Sequence, residues 1–415
     1  MATSTARLSI AGWRTRTGRH VVYAGVITAV ALVAGYMGIL PVFRSHLKDY
    51  LGIGDDKFGL LFAIGPVTGL VSLALGGPLI DRWGARRMIR ICVTGVGGAM
   101  LMVALGGADF RWFAAAAGVA GLFSAPLFIA ISAYLAKLFP NHRRRVLSLN
   151  LATSSAGGML FPLAAEGLIH LSEHHPPVTF GQVLHAPFLL AGGLMIGAGF
   201  IYRARIPAGP AVSATSRSGW SWRDLLLPPR TTLLALLIAL HTTADSMLYY
   251  WMARFLESRS FAGQALAPGV VLSGFALAYL VSRTILAALP DKTCRRAFLV
   301  LPGITGGGVL IAGILSRSCV LAACGYVLAA FCWSVEYPSM VSALMQCDRK
   351  RFGAAMAASG LAGGLMLSLG MAASGRLIEH IGEAAMWKVM LLPACCFPLV
   401  GLGGLAWVML FDCKQ

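Results

Sequence analysis

The sequence predicts an all-α integral membrane protein with twelve transmembrane helices, arranged as two six-helix bundles related by a pseudo-two-fold axis. Three observations predict this class: a composition that is 57% hydrophobic and 12% charged, a series of long apolar runs, and an internal repeat. A soluble domain carries about twice that share of charged residues.

The apolar runs are long enough to cross a membrane as helices. A spanning helix needs about 20 mostly apolar residues, and only helices or closed barrels satisfy the backbone in hydrocarbon. Twelve runs meet this length, near residues 20–43, 57–79, 88–106, 112–136, 146–170, 184–202, 231–253, 267–290, 297–316, 319–345, 352–374 and 385–411. The predicted parts are a tail (1–19), an N-terminal six-helix bundle (20–202), a linker (203–230), a C-terminal six-helix bundle (231–411) and a second tail (412–415).

The net charge of +18 could indicate a nucleic-acid partner, but the position of the charges favours a membrane orientation instead. With the N-terminus inside, 24 of the 34 Lys and Arg residues fall in cytoplasmic segments. This asymmetry follows the positive-inside rule. It predicts a multi-pass protein of the cell (inner) membrane with both termini cytoplasmic, and anionic lipid headgroups as partners of the basic segments. We expect no nucleic-acid partner.

The two halves of the sequence resemble each other. NHRRRVLSLNLATSSAGGML (141–160) aligns without gaps to CDRKRFGAAMAASGLAGGLM (347–366), so that Ala-Gly-Gly recurs at 156–158 and 362–364. A linker rich in Ser, Gly, Pro and Arg separates the halves. The repeat predicts two parallel six-helix units about an axis normal to the membrane.

A short basic stretch between the second and third runs carries a family resemblance. GPLIDRWGARR (77–87) resembles the signature loop of the major facilitator superfamily of transporters. The resemblance implies a latch on the cytoplasmic side, formed by Gly77, Asp81, Arg82, Gly84, Arg86 and Arg87. A second, weaker copy, LAALPDKTCRR (286–296), carries Asp291 at the matching position. The alternative is that these charges only anchor the loops at the headgroups.

Three charged residues lie deep in the apolar runs: Asp245, Arg283 and Glu336. A charge at mid-bilayer costs at least about 2.5–3.5 kcal/mol, so such residues usually face a polar cavity or one another. The superfamily resemblance implies that the seventh, eighth and tenth helices, which carry them, line a central cavity. His241, Asp245 and Tyr249 are four residues apart and share a helix face.

These positions predict roles in coupling. Asp245 and Glu336 are candidate proton carriers, and His241 is a candidate partner whose titration range suits a proton gradient. The sequence does not distinguish which of the two carboxylates carries the proton. The alternative is a buried ion pair that only fixes helix packing.

Arg283 is the predicted centre of substrate binding. GFALAYLVSRTILAALPDK (274–292) resembles the eighth helix of the monocarboxylate transporter family, which has an Arg at the position of Arg283 and an Asp where Tyr279 stands. By this resemblance Arg283 holds a substrate carboxylate, which suits the donor fork of a guanidinium. Tyr36, Asn150 and Tyr249 are the expected neutral contacts.

The sequence therefore predicts a proton-coupled transporter of a small organic anion, acting as a monomer. The alternative is a proton-driven exporter of drugs, siderophores or other amphipathic metabolites, and a third class is a non-transporting membrane receptor. We expect no enzyme and no cofactor, because nucleotide loops and nucleophile motifs are missing from the sequence. We also expect no metal site, because the histidines of HLSEHHPPVTFGQVLH (170–185) are irregularly spaced.

Overall fold

The structure is a computed structural model that describes residues 16–31, 38–139, 143–175, 177–205, 227–258, 266–289, 295–316, 318–347, 352–382 and 385–412. Within these ranges all regular secondary structure is helical, and no β-strand occurs in them. The all-α prediction is therefore confirmed.

The helices follow one another with short connections. They are α1 (Arg16–Ala31), α2 (Arg44–Leu51), α3 (Asp55–Trp83), α4 (Ala85–Leu105), α5 (Phe110–Leu138), α6 (Arg143–His174), α7 (Phe180–Arg205), α8 (Pro229–Ser258), α9 (Pro268–Ala288), α10 (Arg295–Leu315), α11 (Cys319–Trp333), α12 (Glu336–Cys347), α13 (Phe352–Ile381) and α14 (Met386–Trp407). A π-helical turn, Val408–Asp412, continues α14.

The described helices form twelve membrane crossings, as predicted. Eleven described stretches are long and apolar enough to span a membrane, and α1 contributes a shorter apolar helix over Val21–Ala31. The tenth crossing, predicted as one helix, is broken: α11 ends at Trp333 and α12 begins at Glu336. Glu336 therefore lies at a helix N-terminus, where the helix dipole favours a carboxylate.

The predicted ends of the two bundles stay predictions. α7 extends to Arg205, beyond the expected end at 202, and α8 begins at Pro229. Most of the predicted linker (206–226) and most of both predicted tails lie outside the described residues.

The two bundles meet along two long helix pairs, α3 with α13 and α6 with α9. Glycines allow the first pair to approach closely. A Cβ added at Gly59 would lie 2.6 Å from the carbonyl oxygen of Met371, and one at Gly375 would lie 2.7 Å from that of Asp55. Small residues at such contacts let helix backbones pack together without side chains between them.

The repeated Ala-Gly-Gly has an equivalent place in each half. A Cβ at Gly157 on α6 would lie 2.7 Å from Ala29 Cβ on α1. At the matching position on α13, a Cβ at Gly363 would lie 3.4 Å from Ala239 Cα on α8. Each glycine thus packs against the first crossing of its own half, which explains why the repeat keeps it.

The predicted latch is described only in part. Gly84 connects α3 to α4 with φ of +80°, a left-handed conformation that favours glycine. Arg87 is exposed and its guanidinium stacks on Trp83, 5.6 Å from the ring centre, while Arg86 is half-buried. The structure does not describe the surroundings of Gly77 or the side chains of Asp81 and Arg82. Asp291 lies wholly outside the described residues. The latch therefore stays a prediction.

Candidate functional site

A cavity of about 560 Å³ lies between the two bundles. Helices α1, α3, α4, α5 and α6 line it on one side, and α8, α9, α12 and α13 line it on the other. Its polar lining within the described chain comprises Thr28, Ser124, Ser132, Asn150, Ser154, His241, Thr242, Thr243, Asp245, Ser246, Tyr250, Arg283, Tyr337 and Ser359. The only Asp, Glu, Lys or Arg side chains in this described lining are Asp245 and Arg283, and both come from the C-terminal bundle.

Asp245 reaches the cavity from α8 and is held by a chain of neutral donors. Tyr279 on α9 donates its hydroxyl to Asp245 Oδ1 at 2.5 Å, and Trp333 donates its indole N–H to the Tyr279 oxygen at 2.5 Å. All three side chains are buried. No described cation forms an ion pair with Asp245, so this carboxyl group can gain or lose a proton without breaking a salt bridge.

Arg283 crosses from α9 to the N-terminal bundle. Its Nη1 donates to Ser155 Oγ at 2.9 Å and to the Leu151 carbonyl at 3.3 Å, both on α6, and its Nε donates to the Ser334 carbonyl at 3.5 Å. The guanidinium carbon also lies 4.2 Å from the ring centre of Tyr279. Tyr279 therefore contacts both Arg283 and Asp245, and Arg283 has no carboxylate partner among the described residues.

Glu336 lies behind the cavity wall and pairs with His241. His241 Nδ1 on α8 lies 3.0 Å from Glu336 Oε2, and both side chains are buried. His241 lines the cavity, whereas Glu336 is fully buried and outside the lining. Of the two candidate carboxylates, α12 brings Glu336 to the Nδ1 of His241. Of the three predicted charges, Asp245 and Arg283 line the cavity, and Glu336 is separated from it by His241.

The neutral contacts differ in part from those predicted. Asn150 lines the cavity, and its buried Oδ1 has no hydrogen-bond partner among the described residues. Tyr250 lines the cavity in place of the predicted Tyr249, whose ring packs instead against Phe275 at 5.2 Å between centroids. Consecutive side chains of a helix point about 100° apart around its axis, so Tyr250 faces the cavity where Tyr249 does not. Tyr36 lies outside the described residues.

A buried ion cluster, which the sequence analysis missed, joins the bundles at one end. In this Asp55 cluster, the Asp55 carboxylate at the start of α3 pairs with Arg44 and Lys48 from α2 and, at 3.8 Å, with Arg254 from α8. Arg44 also lies 3.6 Å from Glu257 on α8. Burial, with the neighbouring Arg44 and Arg254, lowers the pKa of Lys48. Arg254 and Glu257 are far in sequence from Arg44, Lys48 and Asp55, so no local pattern indicates the whole cluster.

Two further hydrogen bonds join the bundles at the same end. The backbone N–H of Asp55 donates to Glu379 Oε2 on α13 at 3.0 Å. The backbone N–H of Gly269 at the start of α9 donates to Glu166 Oε2 on α6, also at 3.0 Å. Together with the Asp55 cluster, they connect the two bundles at this end along both seams.

Asp55→Asn is expected to lower the thermal unfolding midpoint in detergent, because the buried Arg44 then keeps only its longer contact with Glu257. Breaking one partner of a buried pair costs about 3–5 kcal/mol. The neighbouring Asp56 is exposed, so Asp56→Asn is a matched control that we expect to change stability by less than about 0.5 kcal/mol. Intrinsic tryptophan fluorescence, recorded during heating, gives the unfolding midpoint of both variants. Equal midpoints for the two variants would show that the cluster does not stabilise the closed end.

Comparison with known proteins identifies the architecture. Residues 25–371 match the family model of the Major Facilitator Superfamily. Across 96% of this chain and 98% of the other, the structure is similar to the crystal structure of a bacterial homolog to the human lysosomal transporter Spinster in an inward-facing and occupied conformation, with a TM-score of 0.68 and 14% identity. At that identity the likeness concerns the fold alone.

Two curated relatives match parts of the chain. The aspyridones efflux protein apdF of Emericella nidulans is 27% identical over 184 residues, which is 44% of this chain and 35% of that protein. The human solute carrier family 2, facilitated glucose transporter member 12 is 30% identical over 143 residues, or 33% of this chain and 23% of that protein. The matched region spans about a third or less of the length of these relatives.

Proposed function

Because the chain belongs to the major facilitator superfamily, we propose that it is a proton-coupled, alternating-access transporter of a small organic anion. The observation that carries this proposal is Arg283, a cavity-lining cation with no carboxylate partner in the described part of the chain. Its acceptors are a serine hydroxyl and backbone carbonyls. A substrate carboxylate would bind the guanidinium more strongly than these neutral acceptors, because it carries a full negative charge and its two oxygens match the donor fork.

Asp245 supplies the coupling in this proposal. When Asp245 is ionised, its negative charge offsets that of Arg283 within the cavity. When it is protonated, the cavity keeps the positive charge of Arg283, and an anion is then favoured. Coupling between two ligands is reciprocal, so a bound anion also favours the proton. The loaded carrier would hold both, which is the condition for symport.

Substrate binding would also act on the contact between the bundles. Arg283 now joins α9 to α6 through Ser155 and Leu151. A carboxylate that takes donors from Arg283 would weaken this contact and favour movement of one bundle against the other. With the N-terminus in the cytoplasm, the Asp55 cluster lies on the outer face, and the bonds there would break when the cavity opens outward.

Asn150 and Tyr250 complete the proposed substrate site. Asn150 lines the cavity, and its amide both donates and accepts hydrogen bonds, so it suits a polar group of the substrate. Tyr250 lies against Phe62, 4.1 Å between ring centres, and offers an aromatic surface next to the polar groups. The site therefore fits an anion that also carries a second polar group.

Export of an amphipathic metabolite is the second candidate. The observation that favours it is the N-terminal wall of the cavity, where Val96, Met100, Val103 and Phe113 offer an apolar surface with no charge among the described lining residues. The partial match to an efflux protein points the same way. This wall suits a larger apolar body, whereas Arg283 suits one anionic end.

A substrate panel in proteoliposomes distinguishes the two candidates. We would compare uptake of radiolabelled mono- and dicarboxylates with their uncharged amides, and add cationic amphipathic dyes. Uptake of carboxylates but not of their amides supports the anion proposal. Transport of the dyes, with no carboxylate moved, would contradict it and support the exporter.

A further inference from the structure

Three metal-ligating side chains meet near the end of α6. One ligand atom from each of His170, Glu173 and His174 lies within 4.8 Å of the others. All three side chains are exposed. They stand at positions i, i+3 and i+4 of one helix, and residues at this spacing face the same side.

The continuation of α6 is what brings these side chains together. The apolar run that predicts this helix ends near 170, and beyond it the irregular spacing of the histidines predicts no metal site. The structure extends α6 to His174, so the same residues gain helical spacing. The helix end differs from the expected one because a helix end cannot be placed to within a turn from an apolar run.

A hydrogen bond to the backbone orients His174. His174 Nδ1 lies 3.0 Å from the carbonyl oxygen of His170 and donates to it, which leaves Nε2 free to bind a metal. The two imidazole rings lie 3.9 Å apart between centroids. A ligating histidine usually donates its other ring N–H to a carbonyl or carboxylate in this way, because the bond fixes the tautomer and the ring orientation.

A candidate fourth ligand lies on another helix. His46 on α2 has its Nε2 3.4 Å from Glu173 Oε1, and its ring stacks on Phe180 at 5.5 Å between centroids. Packing against this aromatic ring holds the imidazole beside Glu173. A metal bound here would join α2 to the end of α6.

We propose that His46, His170, Glu173 and His174 form a zinc site. Zn²⁺ binds imidazole nitrogens and carboxylate oxygens in four-coordinate, tetrahedral sites. Three imidazoles and one carboxylate suit zinc or a similar transition metal and disfavour Mg²⁺ and Ca²⁺, which prefer oxygen ligands. The site lies away from the substrate cavity and does not depend on the proposed transport function.

Calorimetric titration of zinc chloride into the full chain in detergent, with any affinity tag removed, tests this site. We expect one strong site in the wild type, and affinity at least about 10-fold lower in H170A, H174A and H46A, since losing even a residue that only orients a ligand costs about 10–100-fold. The matched control is H175A, which removes an exposed neighbouring histidine outside the cluster and should leave the affinity unchanged. Co²⁺ provides a second readout, because a tetrahedral site gives intense visible absorption bands.

Three results would overturn the proposal. The first is wild-type affinity in H170A or H174A, and the second is an equal loss in H175A, which would indicate scattered surface binding. The third is an unchanged affinity in H46A, because the fourth ligand would then be wrong. Unaltered thermal midpoints without metal would show that the variants are folded.

Discussion

Replacing Arg283 with alanine is expected to abolish organic anion transport while leaving the protein folded. Arg283 supplies the only Lys or Arg side chain in the described cavity lining. A hydrogen bond to a charged group contributes about 1.5–3 kcal/mol, so losing it weakens anion binding by about 10- to 100-fold. Initial uptake rates in proteoliposomes measure the loss, and size-exclusion chromatography in detergent shows whether the variant is folded.

A matched variant separates substrate binding from helix packing. Ser155→Ala removes the hydroxyl that Arg283 bonds on α6 but keeps the guanidinium. We expect this variant to retain transport. If Arg283→Ala takes up the anion at the wild-type rate, Arg283 does not bind the anion. A complete loss in Ser155→Ala would instead make Arg283 a packing residue that joins α6 to α9.

Replacing Asp245 with asparagine is expected to uncouple transport from protons. The amide keeps the size of the side chain and can still accept from Tyr279, but it cannot carry a proton. The variant should therefore exchange labelled for unlabelled substrate across the membrane, yet fail to accumulate substrate when a pH gradient is applied. Counterflow and gradient-driven uptake, measured on the same vesicles, separate the two activities.

The outcome for Asp245 also decides the role of the second carboxylate. Glu336 is fully buried behind His241, so a proton from the cavity would reach it through the imidazole. Gradient-driven accumulation by Asp245→Asn would exclude Asp245 as the carrier and leave Glu336, reached through His241, as the candidate. Loss of both exchange and accumulation would indicate that Asp245 is needed for substrate binding or folding.

Much of the fold follows from the sequence because one physical constraint dominates it. Backbone groups in hydrocarbon must bond within a helix, so apolar runs of about 20 residues predict helices directly. The repeat at 156–158 and 362–364 is explained by Gly157 and Gly363 packing against α1 and α8. The break at Glu336 was missed because an apolar run continues through it, and apolarity does not distinguish one helix from two.

The site is harder to predict because it depends on which way each side chain points. α8 is apolar on most faces, and 20 of its residues are buried, so no polar face showed whether Tyr249 or Tyr250 meets the cavity. The bond from Tyr279 to Asp245 depends on how α9 packs on α8. Depth in the membrane still identified Asp245, Arg283 and Glu336, since a charge there needs a polar environment.

Proton movement in proteoliposomes tests the central claim, that anion and proton move together by way of Asp245. A pH-sensitive dye trapped inside the vesicles would report proton flux when a transported anion from the panel is added outside. We predict that the anion acidifies the interior in wild-type vesicles and causes no pH change in Asp245→Asn vesicles, although both exchange labelled anion. Anion uptake by the wild type without any change in interior pH would contradict proton coupling.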